Sequence, residues 1–456
     1  MGARDQNWRD VVSRSPWYEQ LRTDAPPQPL DGDARTNVAI IGAGIAGAAT
    51  AFFTLRETDQ RVLLIERNRS GSGATGHNAG QVANYFERPL CELVEAYGFD
   101  LAIAAQRAID DAFDLLTLMV DESGSSVRLE RVMGHMGMFT CNHLEVHLCN
   151  QSIRRRGGLE VEEIVVSADA PFLDEIPAEY SDLYAVVPRS EIEARLGRRC
   201  GDYYAVLSAQ KACINSALLV EHAVAYLEQA YPERFRYVDH TMVDRIELSG
   251  SGATLAAGGH RVDCDRVVLC TNGYIDHDVV ASDGSRIELP LIQTVGYMGG
   301  YFERDSQPPG AMSFIKNDKI GGDLPYGYVT RRTYDRPGGA ATLTCVGGPE
   351  TELEEGDLYD ADAPVPGYAI EQLDTQVRAV IDDPGGSADA YDYVWQGLMG
   401  YMPDRLRVVG QEPRDPALLY NLACNGVGIL PSLCGGLRIA HLLAGRQLAP
   451  SLFDPR

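Results

Sequence analysis

The clearest pattern of apolar and polar positions lies between residues 37 and 66. An apolar run at residues 37–41 predicts a buried parallel strand, and a second run at 61–65 predicts its neighbour. Between the two runs, residues 44–57 carry apolar side chains at helical spacing, among them Ile45, Phe52 and Leu55. The segment therefore predicts a β-α-β unit.

The remainder of the chain divides into helical and strand-rich stretches. Helices are predicted at about 78–97, 101–120, 215–230, 368–382 and 432–444. Strands are predicted at about 235–248, 253–256 and 260–270, and a strand-rich region at about 288–346. This interleaving predicts an α/β (α+β) fold. A Rossmann-type domain of discontinuous segments would carry an inserted substrate domain built on a mainly antiparallel sheet.

The expected domain boundaries follow from the same interleaving. Residues 1–36, which are polar and rich in proline, are expected to form an N-terminal arm over the surface. The nucleotide-binding domain is expected to comprise residues 37–90, 200–287 and 390–456. The substrate-binding domain is expected to comprise residues 91–199 and 288–389.

Composition excludes several classes of protein. The 456 residues carry a formal net charge of −25, and so acidic a surface repels phosphate backbones, which argues against nucleic-acid binding. No uncharged apolar run is long enough to predict a membrane span, and the charged N-terminus does not resemble a signal peptide. The cytoplasm is therefore the expected location. The ten cysteines contain no C-x-x-C pair and are interpreted as buried thiols.

Lysine is nearly absent from the chain. Lys211, Lys316 and Lys319 are the only lysines among 40 basic residues. Two causes stay open: a GC-rich genome favours arginine codons, and a high-salt cytoplasm favours acidic surfaces that are poor in lysine. Neither Lys316 nor Lys319 can be given a role from the sequence, and both are expected on the surface.

The spacing of His143 and His147 does not predict a metal site. The two residues form H-x-E-x-H rather than the zinc-binding H-E-x-x-H, and no third ligand is evident. The segment is instead expected to form a solvated helix, and no metal is expected.

The β-α-β unit contains a dinucleotide-binding motif. Gly42, Gly44 and Gly47 form G-x-G-x-x-G directly after the first strand, where they permit a tight turn, close approach of a pyrophosphate and close helix–strand packing. The pyrophosphate would lie at the helix N-terminus. Glu66 ends the second strand, where its carboxylate would accept hydrogen bonds from ribose hydroxyls and would disfavour NADP. The motif alone does not separate FAD from NAD.

The residues after Glu66 carry a family resemblance. The segment RNRSGSGATGHNAGQV resembles the acid-Arg pair and the Gly-Ala-[ST]-Gly loop of the FAD-dependent D-amino-acid oxidase superfamily, which includes glycine oxidase and the sarcosine- and dimethylglycine-oxidising enzymes. The preceding arm, SPWYEQL, resembles that of γ-glutamylputrescine oxidase. Three further landmarks match: the helix entry at 212–219, the turn at 271–274 and the closing pattern at 395–440.

The resemblance implies FAD as cofactor and a set of cofactor-binding residues. Backbone N–H groups at 425–429 are expected to face the flavin pyrimidine ring. The implied residues are Gly42, Gly44, Ile45, Ala46, Gly47, Glu66, Arg67, Gly73, Ala74, Thr75, His77, Asn78, Ala79, Gly80, Val243, Thr271, Asn272, Gly273, Asn425, Gly426, Val427, Gly428 and Ile429.

His77 is a candidate for covalent attachment of the flavin. The dimethylglycine and sarcosine dehydrogenase branch has a W-H-A-A-G segment whose histidine is bonded to the flavin, and this chain reads G-H-N-A-G. Neutral imidazole is a suitable nucleophile. The alternative is that His77 only forms hydrogen bonds with the cofactor or caps the helix.

The substrate site is expected to lie on the strand-rich region. LPYGYVTRRTYD resembles the Tyr/Arg segment with which relatives grip a carboxylate, and only one of its two arginines can face inward on a strand. Some relatives place a substrate-binding arginine at the position where this chain has Gln81. The candidate catalytic residues are Tyr326, Tyr328, Arg331, Arg332, Gln81 and Tyr401.

The function that the resemblance implies is oxidation of the C–N bond of a small amine or amino acid to an imine, by hydride transfer to flavin N5. Oxygen or an electron carrier would accept the electrons. Two alternatives stay open: an FAD-dependent hydroxy-acid dehydrogenase, and a flavoprotein subunit in which FAD is structural.

Overall fold

The structure is a computed structural model that describes residues 14–22, 25–197, 201, 203–315, 326–354, 356–380 and 391–456. Its strands are β1 (Ala34–Ile41), β2 (Val62–Ile65), β3 (Gln81–Val82), β4 (Glu130–Met138), β5 (Glu163–Ser167), β6 (Ala185–Val187), β7 (Ala205–Cys213), β8 (Phe235–Val238), β9 (Val243–Leu248), β10 (Ala253–Ala257), β11 (His260–Leu269), β12 (Asp278–Val280), β13 (Ile292–Phe302), β14 (Gly310–Ile315), β15 (Tyr326–Arg336), β16 (Gly339–Glu352), β17 (Tyr393–Tyr401), β18 (Val408–Gln411) and β19 (Leu418–Leu422). Its helices are α1 (Ile45–Glu57), α2 (Leu90–Tyr97), α3 (Phe99–Glu122), α4 (Cys141–Arg156), α5 (Arg189–Leu196), α6 (Ser216–Ala230), α7 (Gly367–Val380) and α8 (Ile429–Leu443).

The first sheet is a Rossmann-type sheet centred on β1. This strand pairs in parallel with β2 and β11, while β2 pairs in parallel with β8, and β11 with β19. An antiparallel meander of β9, β10 and β11 extends one side. The apolar runs that predict β1 and β2 are buried on both faces, as parallel strands covered by other layers must be.

Small residues bring α1 and α8 close together over this sheet. A Cβ at Gly436 of α8 would lie 2.8 Å from the backbone carbon of Ala49 in α1, so only glycine permits this approach. Buried apolar side chains of α1, α3, α6 and α8 form the core on one face of the sheet. A second core covers the other face, between β1, β2 and the β9–β11 meander.

The second sheet is mainly antiparallel, which confirms the predicted architecture. Its strands follow the order β17-β13-β16-β15-β14-β4-β7-β5-β6, and the short β3 pairs with β7. The pairs β14–β4 and β5–β6 are parallel, and the other pairs in the sheet are antiparallel. The fold class predicted from the sequence is thus the one observed.

The sheets divide the chain differently from the expected domain boundaries at three strands. The strands β3, β7 and β17 lie in the second sheet, although their residues fall within segments expected to build the nucleotide domain. Most residues of β7 and β17 are buried, and burial alone does not indicate to which of two sheets a strand belongs.

Two predicted helical segments differ from the structure. Residues 78–89, expected to be helical, form β3 and the loops on both sides of it, and α2 begins only at Leu90. The segment of His143 and His147 is helical as expected but not solvated, because His143 is 1% exposed. The helical spacing of this segment predicts α4 itself but not the other parts of the chain that bury His143.

The N-terminal arm is partly buried rather than lying over the surface. Trp17 is fully buried, and its indole N–H donates to the carbonyl oxygen of Asn78 at 2.5 Å. Arg332 stacks on the Trp17 ring, with its guanidinium carbon 4.9 Å from the ring centroid. The hydroxyl of Tyr334 donates to the Pro16 carbonyl at 2.6 Å. The arm therefore joins the loop after β2 to the second sheet.

Within the described ranges, no helix is long and apolar enough to cross a membrane. The nine described cysteines are free thiols, five of them partly exposed and four buried.

Candidate active site

One large cavity, of about 1490 Å³, lies where the two sheets meet. Its wall on the first sheet is formed at the carboxyl ends of β1, β2, β11 and β19, the edge at which open α/β sheets bind ligands. The opposite wall comes from the second sheet and from the loop after β3. The cavity is therefore the candidate active site.

The glycine motif has the geometry that a bound pyrophosphate needs. Gly42 has φ of +97°, and a Cβ there would lie 2.8 Å from the carbonyl oxygen of Cys270. A Cβ at Gly47 would overlap the carbonyl oxygen of Gly42, so α1 can start this close to β1 only because the residue is glycine. The Thr75 hydroxyl accepts from the N–H of Ile45 at 2.9 Å, which fixes the loop on the first turn of α1.

Glu66 is held at the end of β2 by backbone donors. One carboxylate oxygen accepts from the N–H of Ala43 at 2.8 Å, and the other from that of Asn68 at 2.9 Å. Burial raises its pKa, and the two backbone hydrogen bonds oppose that rise. The neighbouring Arg67 forms an ion pair with Asp276 at 2.7 Å, and both residues line the cavity. Both carboxylate oxygens of Glu66 are thus fixed in the cavity wall.

Two unsatisfied polar groups in the cavity wall fit a bound dinucleotide. The hydroxyl of Thr271 and Nε of Arg407 are buried and have no hydrogen-bond partner in the described part of the chain. Arg407 donates from its other end to Asn421 at 2.8 Å, and Asn421 contacts the first turn of α1 at the Ala46 carbonyl. A buried guanidinium beside this helix N-terminus suits the pyrophosphate of FAD.

The loop before α8 offers fewer N–H groups to a flavin than expected. The N–H of Asn425 donates to Gly400 at 3.0 Å, and that of Val427 donates to Cys424 at 3.1 Å. Two of the N–H groups in the segment 425–429 are therefore already engaged within the chain. The N–H of Gly426 faces the Cys424 sulfur, that of Gly428 has no intramolecular acceptor among the residues described, and both glycines line the cavity.

Most of the expected cofactor residues line the cavity. Four do not: Gly47, Gly80 and Gly273 support the wall from behind, and Asn425 is tied to Gly400 and Met402. The residues that line it are Gly42, Gly44, Ile45, Ala46, Glu66, Arg67, Gly73, Ala74, Thr75, His77, Asn78, Ala79, Val243, Thr271, Asn272, Gly426, Val427, Gly428 and Ile429.

His77 is held in one tautomer by its neighbours. Its Nδ1 lies 2.9 Å from the carbonyl oxygen of Gly73, which can only accept, so Nδ1 carries the proton and Nε2 carries the lone pair. The Tyr18 hydroxyl lies 3.3 Å from the same Nδ1 and donates to Ser72. Burial lowers the pKa of His77, which keeps the ring neutral. Nε2 forms no hydrogen bond with any residue that the structure describes.

The candidate catalytic residues do not all reach the cavity. Gln81, Tyr328 and Tyr401 line it. Arg331 does not, since it pairs with Glu303 at 3.4 Å, and Arg332 is buried against the arm. The side chain of Tyr326, like Lys316 and Lys319, lies outside the described residues.

Comparison with known proteins gives the family. A family model for FAD-dependent oxidoreductases, named DAO, matches residues 37–442. The chain belongs to the DAO family of FAD-dependent oxidoreductases. The family implies FAD as the cofactor, in agreement with the cavity wall described above.

Individual relatives match the chain either over short segments or at low sequence identity. The chain is 34% identical to the putative Rieske 2Fe-2S iron-sulfur protein YhfW of Bacillus subtilis over 23% of this chain and 21% of that protein. It is 33% identical to γ-glutamylputrescine oxidoreductase of Escherichia coli over 17% of this chain and 18% of that one. The chain thus matches only about a fifth of the length of these relatives. Glycine oxidase from Geobacillus kaustophilus shares the fold, with a TM-score of 0.63, 18% identity and coverage of 92% and 98%.

The cavity of this DAO-family protein also contains charged residues that the sequence analysis missed. Glu87 and Glu350 line it, and burial raises their pKa values to about 8 and about 7, with Glu350 also raising that of Glu87. Tyr401 lies near both carboxyls. Its hydroxyl is 3.4 Å from Glu350, and both that hydroxyl and the Glu87 carboxylate lie within 3 Å of the position that a Cβ of residue 426 would occupy. Lys211 lines the cavity on β7. Rarity among the basic residues is the only sequence signal that marks it.

Proposed function

We propose that this protein oxidises the C–N bond of a small amine or amino acid to an imine. The observation that carries the proposal is a single cavity that joins the dinucleotide-binding wall to Gln81, Tyr328, Tyr401 and the carboxyls of Glu87 and Glu350. Bound FAD supplies the hydride acceptor at N5, and oxygen or an electron carrier takes the two electrons onward. Water then hydrolyses the released imine.

The residues of the cavity have two tasks in this reaction. An amine donates hydride from its α-carbon only when its nitrogen is neutral, so a base must take the ammonium proton. We assign this task to Glu87, whose pKa of about 8 suits proton transfer near neutral pH. Glu350 stands near it, and the Tyr401 hydroxyl donates to Glu350 at 3.4 Å. Tyr328 lines the cavity from β15.

We further propose that the flavin is attached covalently through Nε2 of His77. The support is the tautomer: Nδ1 is held by the Gly73 carbonyl, and Nε2 keeps its lone pair in the cavity wall. The bond would replace a C–H bond of a flavin methyl group, with release of one proton and passage of two electrons to the acceptor that also serves turnover.

The decisive experiment mixes the FAD-loaded protein, without oxygen, with paired substrates. Each amine or amino acid is matched with the hydroxy acid or alcohol of the same carbon skeleton, and bleaching of the flavin absorbance is followed. We expect bleaching by an amine or amino acid only. Bleaching by hydroxy acids alone would replace the proposal with hydroxy-acid oxidation. A flavin that stays oxidised throughout would indicate a structural cofactor.

A further inference from the structure

Lys211 places a buried ammonium group in the cavity wall. The residue lies on β7, is 3% exposed and lines the cavity. Its Nζ donates to Oε1 of Gln81 and to the hydroxyl of Ser313, each at 3.2 Å. The ring of Tyr85 lies on another side, with its centroid 5.6 Å from Nζ. The head group is therefore fixed in position by neutral partners.

No carboxylate in the described part of the chain lies within ion-pair distance of this ammonium. Glu162 is the carboxyl that favours its charge most, but Glu162 accepts a hydrogen bond from Gln151 at 2.9 Å, and burial raises its own pKa. A buried cation without a counter-ion is unfavourable, and burial accordingly lowers the pKa of Lys211 to about 8. An anion in the cavity would relieve this cost.

The other buried or half-buried arginines in the cavity lining are already engaged or face the cofactor, whereas Arg405 is exposed and lies near Glu87 and Glu350. Arg154 pairs with Asp110 at 3.0 Å. Arg407 lies beside the first turn of α1, where the pyrophosphate is expected. Lys211 instead stands next to Gln81, on the wall opposite the dinucleotide-binding loops.

We propose that Lys211 binds the carboxylate of an amino-acid substrate, with Gln81 and Ser313 holding its ammonium group in place. The inference rests on the proposed function and narrows it: the substrate is an amino acid rather than a simple amine. The positive charge that binds the carboxylate would thus come from Lys211 on β7, next to Gln81. Lys211 is in this sense a specificity-determining residue.

Benzoate binding tests the inference without turnover. The FAD-loaded protein is titrated with benzoate and, separately, with benzamide, which has the same shape but no charge, and the flavin spectrum is followed. We expect benzoate to bind at least about tenfold more tightly. Lys211→Met should weaken benzoate binding by roughly 100-fold and leave benzamide unchanged, because it removes one partner of a buried charge pair. Lys211→Arg should keep most of the preference.

Two further variants separate a charge effect from a folding effect. Gln81→Glu gives the ammonium a built-in carboxylate, so it should keep the fold and still abolish the preference for benzoate. Arg195→Gln is the matched control: Arg195 contacts Ser208 of β7 but pairs with Glu163 and Glu191 away from the cavity, and benzoate binding should not change.

The outcomes distinguish this inference from the proposed function. Two results would show that Lys211 is not a carboxylate site, even if amines still bleach the flavin. One is that benzoate binds wild type no more tightly than benzamide does. The other is that benzoate binds wild type, Lys211→Met and Gln81→Glu with equal affinity. If the charge preference follows Lys211 but no amine or amino acid bleaches the flavin, the carboxylate site stands and the proposed reaction is wrong.

Discussion

The two walls of the cavity differ in what they offer a ligand. The cofactor wall, formed by residues 42–46, 66, 73–79 and 426–429, offers mostly backbone groups, and glycines permit the close approach. The substrate wall, formed by Gln81, Glu87, Lys211, Tyr328 and Glu350, offers charged and polar side chains, several of which have shifted pKa values.

That difference separates groups that suit any dinucleotide from groups that suit one kind of ligand. Backbone donors at a helix N-terminus recognise any pyrophosphate and tolerate many side chains around them. Buried charges recognise one kind of ligand, because each unpaired charge is unfavourable until the right counter-charge arrives. The cofactor wall therefore points to FAD, and we propose that the substrate wall selects the molecule that FAD oxidises.

The largest effect is expected at His77, which belongs to the cofactor wall but acts through its side chain. In wild type, the yellow colour should stay with the protein pellet after acid precipitation. His77→Ala should release all of it to the supernatant, because no other described group offers a neutral nucleophile at the same place. His147→Gln, which changes another cavity histidine, should not. Colour that leaves the wild-type pellet would make His77 a noncovalent neighbour.

Trp17 joins the two walls of the cavity, and its loss should have the next largest effect, on stability and flavin content. Its indole contacts Asn78 on one side and Arg332 of β15 on the other. Trp17→Ala should lower the free energy of unfolding by about 3–5 kcal/mol, as expected for a fully buried aromatic side chain. Urea unfolding measures this loss, and flavin content should fall with it.

A conservative variant at the same position tests the reason. Trp17→Phe keeps most of the packing and loses the hydrogen bond to Asn78, so it should cost only about 1–3 kcal/mol. Equal losses for the two variants would mean that the hydrogen bond, and not the packing, carries the contribution.

Gly47 tests the backbone geometry of the cofactor wall. An added Cβ would overlap the Gly42 carbonyl, so Gly47→Ala should destabilise the fold by about 1–3 kcal/mol and weaken FAD binding. Gly32→Ala is the matched control, since no atom lies within 4 Å of its Cβ position, and it should change the free energy of unfolding by less than about 0.5 kcal/mol. Similar losses in both would contradict the close approach.

The cofactor wall was accessible from the sequence because its constraints are local. Gly42, Gly44 and Gly47 lie within six residues, and each is needed for a backbone reason that neighbouring residues reveal. The substrate wall is different: Lys211 meets Gln81 and Ser313 across 130 and 102 residues of sequence. Between Gln210 and Ala212, Lys211 gives no sign in the sequence of its partners. The family pattern likewise suggested Arg331 and Arg332, which the register of β15 directs to Glu303 and Trp17.

The smallest expected effect concerns the pH dependence that Glu87 gives the substrate wall. Its pKa of about 8 is raised by burial and by Glu350, and opposed by Arg405. Below that pH the carboxyl is protonated and cannot take the ammonium proton, so kcat/KM should rise with pH through about 8. Glu87→Gln should shift this rise to higher pH and lower kcat/KM by about tenfold near pH 8. At higher pH the difference should shrink, because free amine then arrives from solution. Glu92→Gln, on the exposed side of α2, should leave the profile unchanged. A rise that stays at the same pH in Glu87→Gln would move the proton acceptor to Glu350 or to solvent.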